Sequence, residues 1–142
     1  MRSADLVITG RTLGDIPEEL CALLRPHQVT LITGFAGSGK TALCAEIERR
    51  GLAWWVAEDP SIRTAHASRL DRIRRALTVA RGVPPSPSIA VVIGEACCSP
   101  PRLEFFRSRL PPTTAVVWLE VDGTTRYHRL IRRSAERRDA TL

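Results

Sequence analysis

The residues whose types and spacing most plainly support chemistry are Gly34, Phe35, Ala36, Gly37, Ser38, Gly39, Lys40 and Thr41, which spell G-x-x-x-x-G-K-[ST]. The glycines let the backbone turn through conformations closed to other residues, so that successive N–H groups face one point and form an anion-binding nest. Where a helix N-terminus follows such a nest, the natural guest is a polyphosphate. Lys40 would reach the β- and γ-phosphates as a compact charge, and the Thr41 hydroxyl would ligate Mg²⁺. Lys40 is also the only lysine among 21 basic residues, the rest being arginine. A planar guanidinium could not fill the niche that a slim ammonium fills inside the loop.

Further candidates lie where strands end. Glu58 and Asp59 follow the apolar run Ala53–Ala57, and a carboxylate there faces the crevice at the carboxyl edge of a parallel sheet. Asp59 is the preferred acceptor-orienting base; its plain structural alternative is the N-cap of the next helix. Glu95 follows Ile93-Gly94, where a carboxylate can hold a metal's water shell, although Gly94 stands one place before the acid. Arg102 could meet an anionic acceptor or simply face solvent. The densest basic cluster is Arg126, Arg129, Arg132, Arg133, Arg137 and Arg138. Positions 129 and 133 share one helix face, as do 126 and 129, so two guanidinium groups can converge; Arg129 and Arg133 are the choices.

These side chains need elements to position them. Residues 4–10 read as a short strand, and Asp15 as the cap of a helix whose apolar face is Leu20, Leu23 and Leu24. Val29–Thr33 forms the strand before the glycine loop; residues 40–50 form the helix after it, with Leu43 and Ile47 inward and Gly51 as its stop. The strand 53–57 precedes a long helix over 61–81, with Ile62, His66, Leu70, Ile73, Leu77 and Ala80 at helical spacing. The continuous apolar run 89–93 predicts a strand covered on both faces. Ser99-Pro100-Pro101 opens a helix with Leu103, Phe106 and Leu110 inward; a strand over 115–121 and a helix over about 124–138 follow. Trp54, Trp55 and Trp118 sit inside apolar strands and read as core. Strands alternating with helices predict an α/β fold, a parallel sheet sandwiched by helices.

Bulk properties bound the rest. At 142 residues the chain is one domain with room for a proper core, and 44% hydrophobic and 25% charged residues give an ordinary globular composition. No apolar run approaches a membrane span, and Met1-Arg2-Ser3 leads into a strand-like segment without a signal peptide's apolar stretch, so the expected location is cytoplasmic. Cys21, Cys44, Cys97 and Cys98 lack C-x-x-C spacing, so reduced, mostly buried thiols are expected rather than zinc or disulfides. A net charge of +6 fits either a nucleic-acid partner or a phosphate-handling site.

Taken together, the chain resembles the small P-loop kinases, such as shikimate, gluconate, adenylylsulfate and polynucleotide kinases. The likeness covers nearly the whole element order from Gln28 to Arg138: the Gly34–Thr41 loop, Glu58-Asp59, Ser99-Pro100-Pro101-Arg102, the strand Val116–Val121 and the arginine helix. Only the first is highly specific. The resemblance implies a three-layer α/β/α P-loop NTPase fold with a parallel five-stranded sheet. It further implies an ATP- and Mg²⁺-dependent kinase moving the γ-phosphoryl to a hydroxyl or phosphate of a small molecule, with Lys40, Asp59, Arg129 and Arg133 catalytic. Residues 34–41 and Arg129 would bind the nucleotide, Thr41 and Glu95 the metal, and residues 126–142 the lid region. In such kinases one more strand and helix follow the lid. Here residues 1–26 look like that closing unit placed in front, which would make the chain circularly permuted; an added strand on a truncated kinase, or a fragment, is the plainer alternative. Permutation requires the strand at 5–9 to lie beside the neighbour of the loop-bearing strand. A polynucleotide 5′-kinase and a nucleotide-dependent ATPase switch are the rival functions; no Asn-Lys-x-Asp sequence favours a GTPase.

Overall fold

In a computed structural model, the structure describes residues 4–9, 14–26, 28–35, 37–56, 69–82, 89–95 and 100–141. The expected residues Ala36, Glu58, Asp59, Ile62, His66, Cys97, Cys98 and Ser99 lie outside them. The described elements run β1 (Leu6–Thr9), α1 (Glu18–Leu23), β2 (Val29–Gly34), α2 (Lys40–Arg49), β3 (Ala53–Trp55), α3 (Arg69–Gly82), β4 (Ala90–Gly94), α4 (Pro100–Arg109), β5 (Ala115–Glu120) and α5 (Gly123–Thr141). The strands form one five-stranded sheet in the order β1-β5-β2-β4-β3, every pair parallel.

That order assigns the helices to faces. Parallel crossovers are right-handed, so the direction of travel along the sheet fixes the side on which the connecting helix lies. Travel from β1 to β2 and from β2 to β3 runs one way, and α1 and α2 share a face: Leu20 of α1 and Leu43, Cys44 and Ile47 of α2 are buried with Ile8, Ile32, Ala90, Val92, Val117 and Leu119. Travel from β3 to β4 and from β4 to β5 runs the other way. There Ile73, Ala76 and Leu77 of α3, Leu103 and Phe106 of α4, and Leu110 just after it pack on Leu31, Val91, Ile93, Val116 and Trp118. The period-two alternation of a strand sends neighbouring residues to opposite cores, which is why β2, β4 and β5 read as unbroken apolar runs.

Several local expectations need correction. Pro17, not Asp15, is the N-cap of α1 and gives no side-chain cap; its ring pre-sets the backbone while Glu18 and Glu19 fill the first turn. β3 ends at Trp55, and Trp54 and Trp55 are only partly buried because β3 is an edge strand. Cys21 is exposed on α1, whereas Cys44 is buried. The helix α5 starts earlier than its pattern suggests because Asp122 caps it: its carboxylate accepts the Thr125 N–H at 2.8 Å and the Thr125 hydroxyl at 2.7 Å. Those bonds hold the Asp122 carboxyl below the usual range. No described helix is long and apolar enough to cross a membrane.

Two charged clusters fasten the outer elements. Asp5 accepts two bonds from Arg107 of α4, at 2.9 and 3.0 Å, and one from the Val116 N–H at 2.7 Å, so it joins the start of β1 to β5 and α4. Replacing Asp5 with Ala should lower the unfolding free energy by about 1–2 kcal/mol, since charge-assisted bonds at a half-exposed site are lost and a β5 donor is left unpaired; urea unfolding checks this. Glu46 of α2 accepts from Arg49 and Arg50, and Arg50 reaches the Gly14 carbonyl at 2.8 Å. The Arg49 and Arg50 guanidinium groups hold the Glu46 carboxyl down to about 2. A carboxyl lowered on folding stabilises above its ordinary value of 4.5 and stops doing so as pH falls toward 2. Melting curves of the protein and its Glu46→Gln variant should therefore differ at pH 6 and converge between about pH 4.5 and 2, the difference shrinking in salt.

Candidate phosphate-binding site

The loop between β2 and α2 stands at the carboxyl edge of the sheet, next to β4, and the chain leaves these two neighbouring strands toward opposite faces, into α2 on one and α4 on the other. From β2 the chain passes to β3 and β4 on one side and then crosses to β5 on the other. Open parallel sheets leave a crevice at such a switch point. Gly37 and Gly39 adopt left-handed φ angles of 83° and 89°. Gly39 is the N-cap of α2, so the backbone reverses there and the N–H groups of the first helical turn, which have no carbonyl one turn behind them, open toward the crevice. The Ser38 N–H closes the turn on the Phe35 carbonyl at 3.1 Å.

Opposite the loop stands α5. Its Arg129 donates to the Gly37 carbonyl at 3.1 Å, and a Cβ added at Gly37 would lie 2.8 Å from the Arg126 carbonyl. The loop tip and the helix are thus in direct backbone contact. Arg126 lies with its guanidinium 4.9 Å from the centre of the Phe35 ring and donates to the Val121 carbonyl at 3.1 Å. Phe35 in turn meets Trp118 edge to face at 5.2 Å. Its side chain joins the loop to the core rather than the ligand side, while its backbone stays in the loop.

Between the two elements is a cleft of about 210 Å³. Gly37, Gly39, Lys40, Thr41 and Ala42 line one side, and Arg129, Arg132, Arg133 and Glu136 the other. Four cationic side chains against one carboxylate make a strongly positive concavity, sized for a few phosphate groups rather than for a whole nucleotide. The Ser38 hydroxyl is buried without a hydrogen-bond partner among the described residues. An orphaned hydroxyl, left-handed glycines and convergent cations all suit an anion with many oxygen acceptors.

No family model and no curated protein sequence matches this chain.

The structure brings together Gly37, Gly39, Lys40, Thr41, Arg129 and Arg133, with Gly34, Phe35 and Ser38 forming the loop's base. Glu95 stands elsewhere on the same sheet edge, at the end of β4. Its backbone carbonyl accepts the buried Thr33 hydroxyl at 2.6 Å, its N–H donates to Ile32 at 3.2 Å, and its carboxylate pairs with Arg72 of α3 at 3.1 Å. These bonds lock the ends of β2 and β4 together. Sequence reasoning did not single out Arg126 as the residue stacked on Phe35, nor Glu136 as the acid of the cleft. Glu136 sits three and four residues beyond Arg133 and Arg132, a spacing that puts it on their face.

Gly37→Ala combines a left-handed residue with a 2.8 Å approach to backbone. It should cost about 2 kcal/mol of stability, since the left-handed conformation alone is unfavourable by about 1–2 kcal/mol for a residue with a Cβ, and it should weaken tripolyphosphate binding. Urea unfolding and calorimetric titration test both; an unchanged variant would remove the loop–helix contact from the account.

Proposed function

We propose that this protein is a phosphotransferase of the P-loop kinase type, taking ATP as donor and passing its γ-phosphoryl group to a hydroxyl or phosphate of a small molecule. The observation that carries the reading is the single cleft in which Lys40 and Thr41 face Arg129 and Arg133 across a left-handed glycine loop. The loop's N–H groups and Lys40 bind the donor's phosphates and hold them still. Arg129 and Arg133, on a helix braced against the loop, meet the negative charge that spreads over the transferring group in a loose transition state. Thr41 in the cleft and Glu95, at the end of the neighbouring β4 and paired with Arg72, are the residues that would hold Mg²⁺, which when bound neutralises phosphate charge and orients it. Asp59, four residues beyond β3 in the chain, is the acceptor-orienting carboxylate of this proposal. Catalysis is then positioning plus electrostatics, with no covalent step on the protein.

The sheet order supports the permuted reading of the chain. β1 lies directly outside β5, itself beside the loop-bearing β2, which is the slot that reading requires for a closing strand. The rival placement, on the opposite edge next to β3, is not what the order gives.

Changing Lys40 to Ala should reduce ATP turnover by about 10³-fold or more, in line with losing a principal cation of phosphoryl transfer, while leaving the thermal melt within a few degrees. Product analysis with sugars, polyol acids, nucleosides and oligonucleotides as acceptors identifies the class. ATP hydrolysis indifferent to every acceptor would instead favour the switch reading, and undiminished transfer by the variant would sink the mechanism.

A further inference from the structure

The charge of this protein is not spread evenly over its two helical faces. α3 and α4, on one face, carry eight arginines against Asp71 and Glu104. On the other, α1 and α2 carry Lys40 and Arg49 against Glu18, Glu19, Glu46 and Glu48. A phosphate cleft at the sheet edge does not require a basic helix face well away from it.

Some of the α3 and α4 arginines serve the fold: Arg72 holds Glu95 and Arg107 holds Asp5. Arg74 and Arg109 do not. They flank a cleft of about 370 Å³ between α3 and α4, near Leu110 and Pro111. Those two residues follow α4 and lead into β5, so this cleft opens toward the amino edge of the sheet, away from the glycine loop. Among the described residues, neither guanidinium has a carboxylate partner. Arg109 is held in place by neutral groups instead, donating to the Phe105 carbonyl at 3.1 Å and the Ser108 hydroxyl at 3.0 Å, and lying 3.5 Å from the centre of the Phe105 ring. That bond set leaves the remaining guanidinium N–H groups of Arg109 for a ligand. Phe105 itself is 46% exposed, an aromatic ring set out on a basic surface.

We infer that the α3/α4 face docks a single-stranded nucleic acid, with Arg74 and Arg109 on its phosphates and the Phe105–Arg109 stack as a platform for a base. Uncompensated arginines alone would accept any polyanion. The exposed ring and the guanidinium plane laid on it select a ligand with flat π faces as well as negative charge. The cleft lies across the sheet from the glycine loop, about the length of a strand of five to six residues, roughly 17–20 Å. A strand of a few nucleotides spans that distance.

The test is fluorescence anisotropy of a labelled single-stranded oligonucleotide of about twelve nucleotides, within the roughly 4–16 that such sites cover. It uses the full chain without ATP, so its outcome is independent of phosphoryl transfer. Binding should weaken with salt, with a log–log slope of about 0.7 for each phosphate contacted. The Arg74→Ala/Arg109→Ala double variant should bind about tenfold or more weakly, with the slope smaller by about 1.4 for two lost contacts. Phe105→Ala should lose about fivefold or more without changing the slope, as loss of one stacked base predicts. The double variant Arg49→Ala/Arg50→Ala removes the same charge from the opposite face and should change affinity less than about twofold. The inference is overturned if that control loses as much as the Arg74/Arg109 pair, or if no salt-dependent binding is seen. It is equally overturned if polyglutamate or inorganic phosphate competes as well as unlabelled oligonucleotide, since the face would then recognise charge alone.

Discussion

The backbone contact between Gly37 and the first turns of α5 is the constraint on which the site depends. A loop of glycines has no side chains to hold its shape, and left-handed residues relax unless something opposes them. Here the opposition comes from the Arg126 backbone, the Arg129 bond to the Gly37 carbonyl, and the Phe35 ring held between Arg126 and Trp118. The same contact sets the height of α5, and therefore where Arg129, Arg132 and Arg133 stand relative to Lys40. One interaction shapes the anion nest and aims the cations above it.

That contact is itself a product of the sheet order. β5 pairs with β2, matching Gly34 to Leu119, so the chain leaving β5 at Glu120 emerges beside the chain leaving β2 into the loop. Asp122 then caps α5 and starts it there. On the other flank β4 pairs with β2, and Thr33 and Glu95 bind one another's strand ends. The central strand is braced on both sides at its carboxyl edge, and the apolar alternation beneath it supplies most of the stability. Each fully buried Leu, Ile or Val is worth about 1.5–3 kcal/mol.

Much of this was legible in the sequence because it is local. The glycine loop with its Lys-Thr ending, the apolar runs of β2, β4 and β5, and the inward faces of α2, α3 and α4 follow from spacing alone. The alternation of strand and helix gave the parallel sheet. What escaped depends on contacts distant in the chain. The Asp5 clamp joins residues more than a hundred positions apart, and the pairing of Glu95 with Arg72 of α3 spans 23 positions. Asp122 caps α5 ahead of the point where the helix's apolar spacing begins, and Pro17 starts α1 without the side-chain cap that Asp15 would supply. Phe35 spells a variable position of the loop motif, and only the fold reveals that it packs on Trp118.

Calorimetric titration of Mg·ATP into the intact protein, repeated in the presence of inorganic tripolyphosphate, tests the central claim most directly. The account predicts one binding site per chain, displaced by tripolyphosphate, because the cleft between the loop and α5 grips phosphates. No binding, or binding that tripolyphosphate leaves untouched, would contradict it.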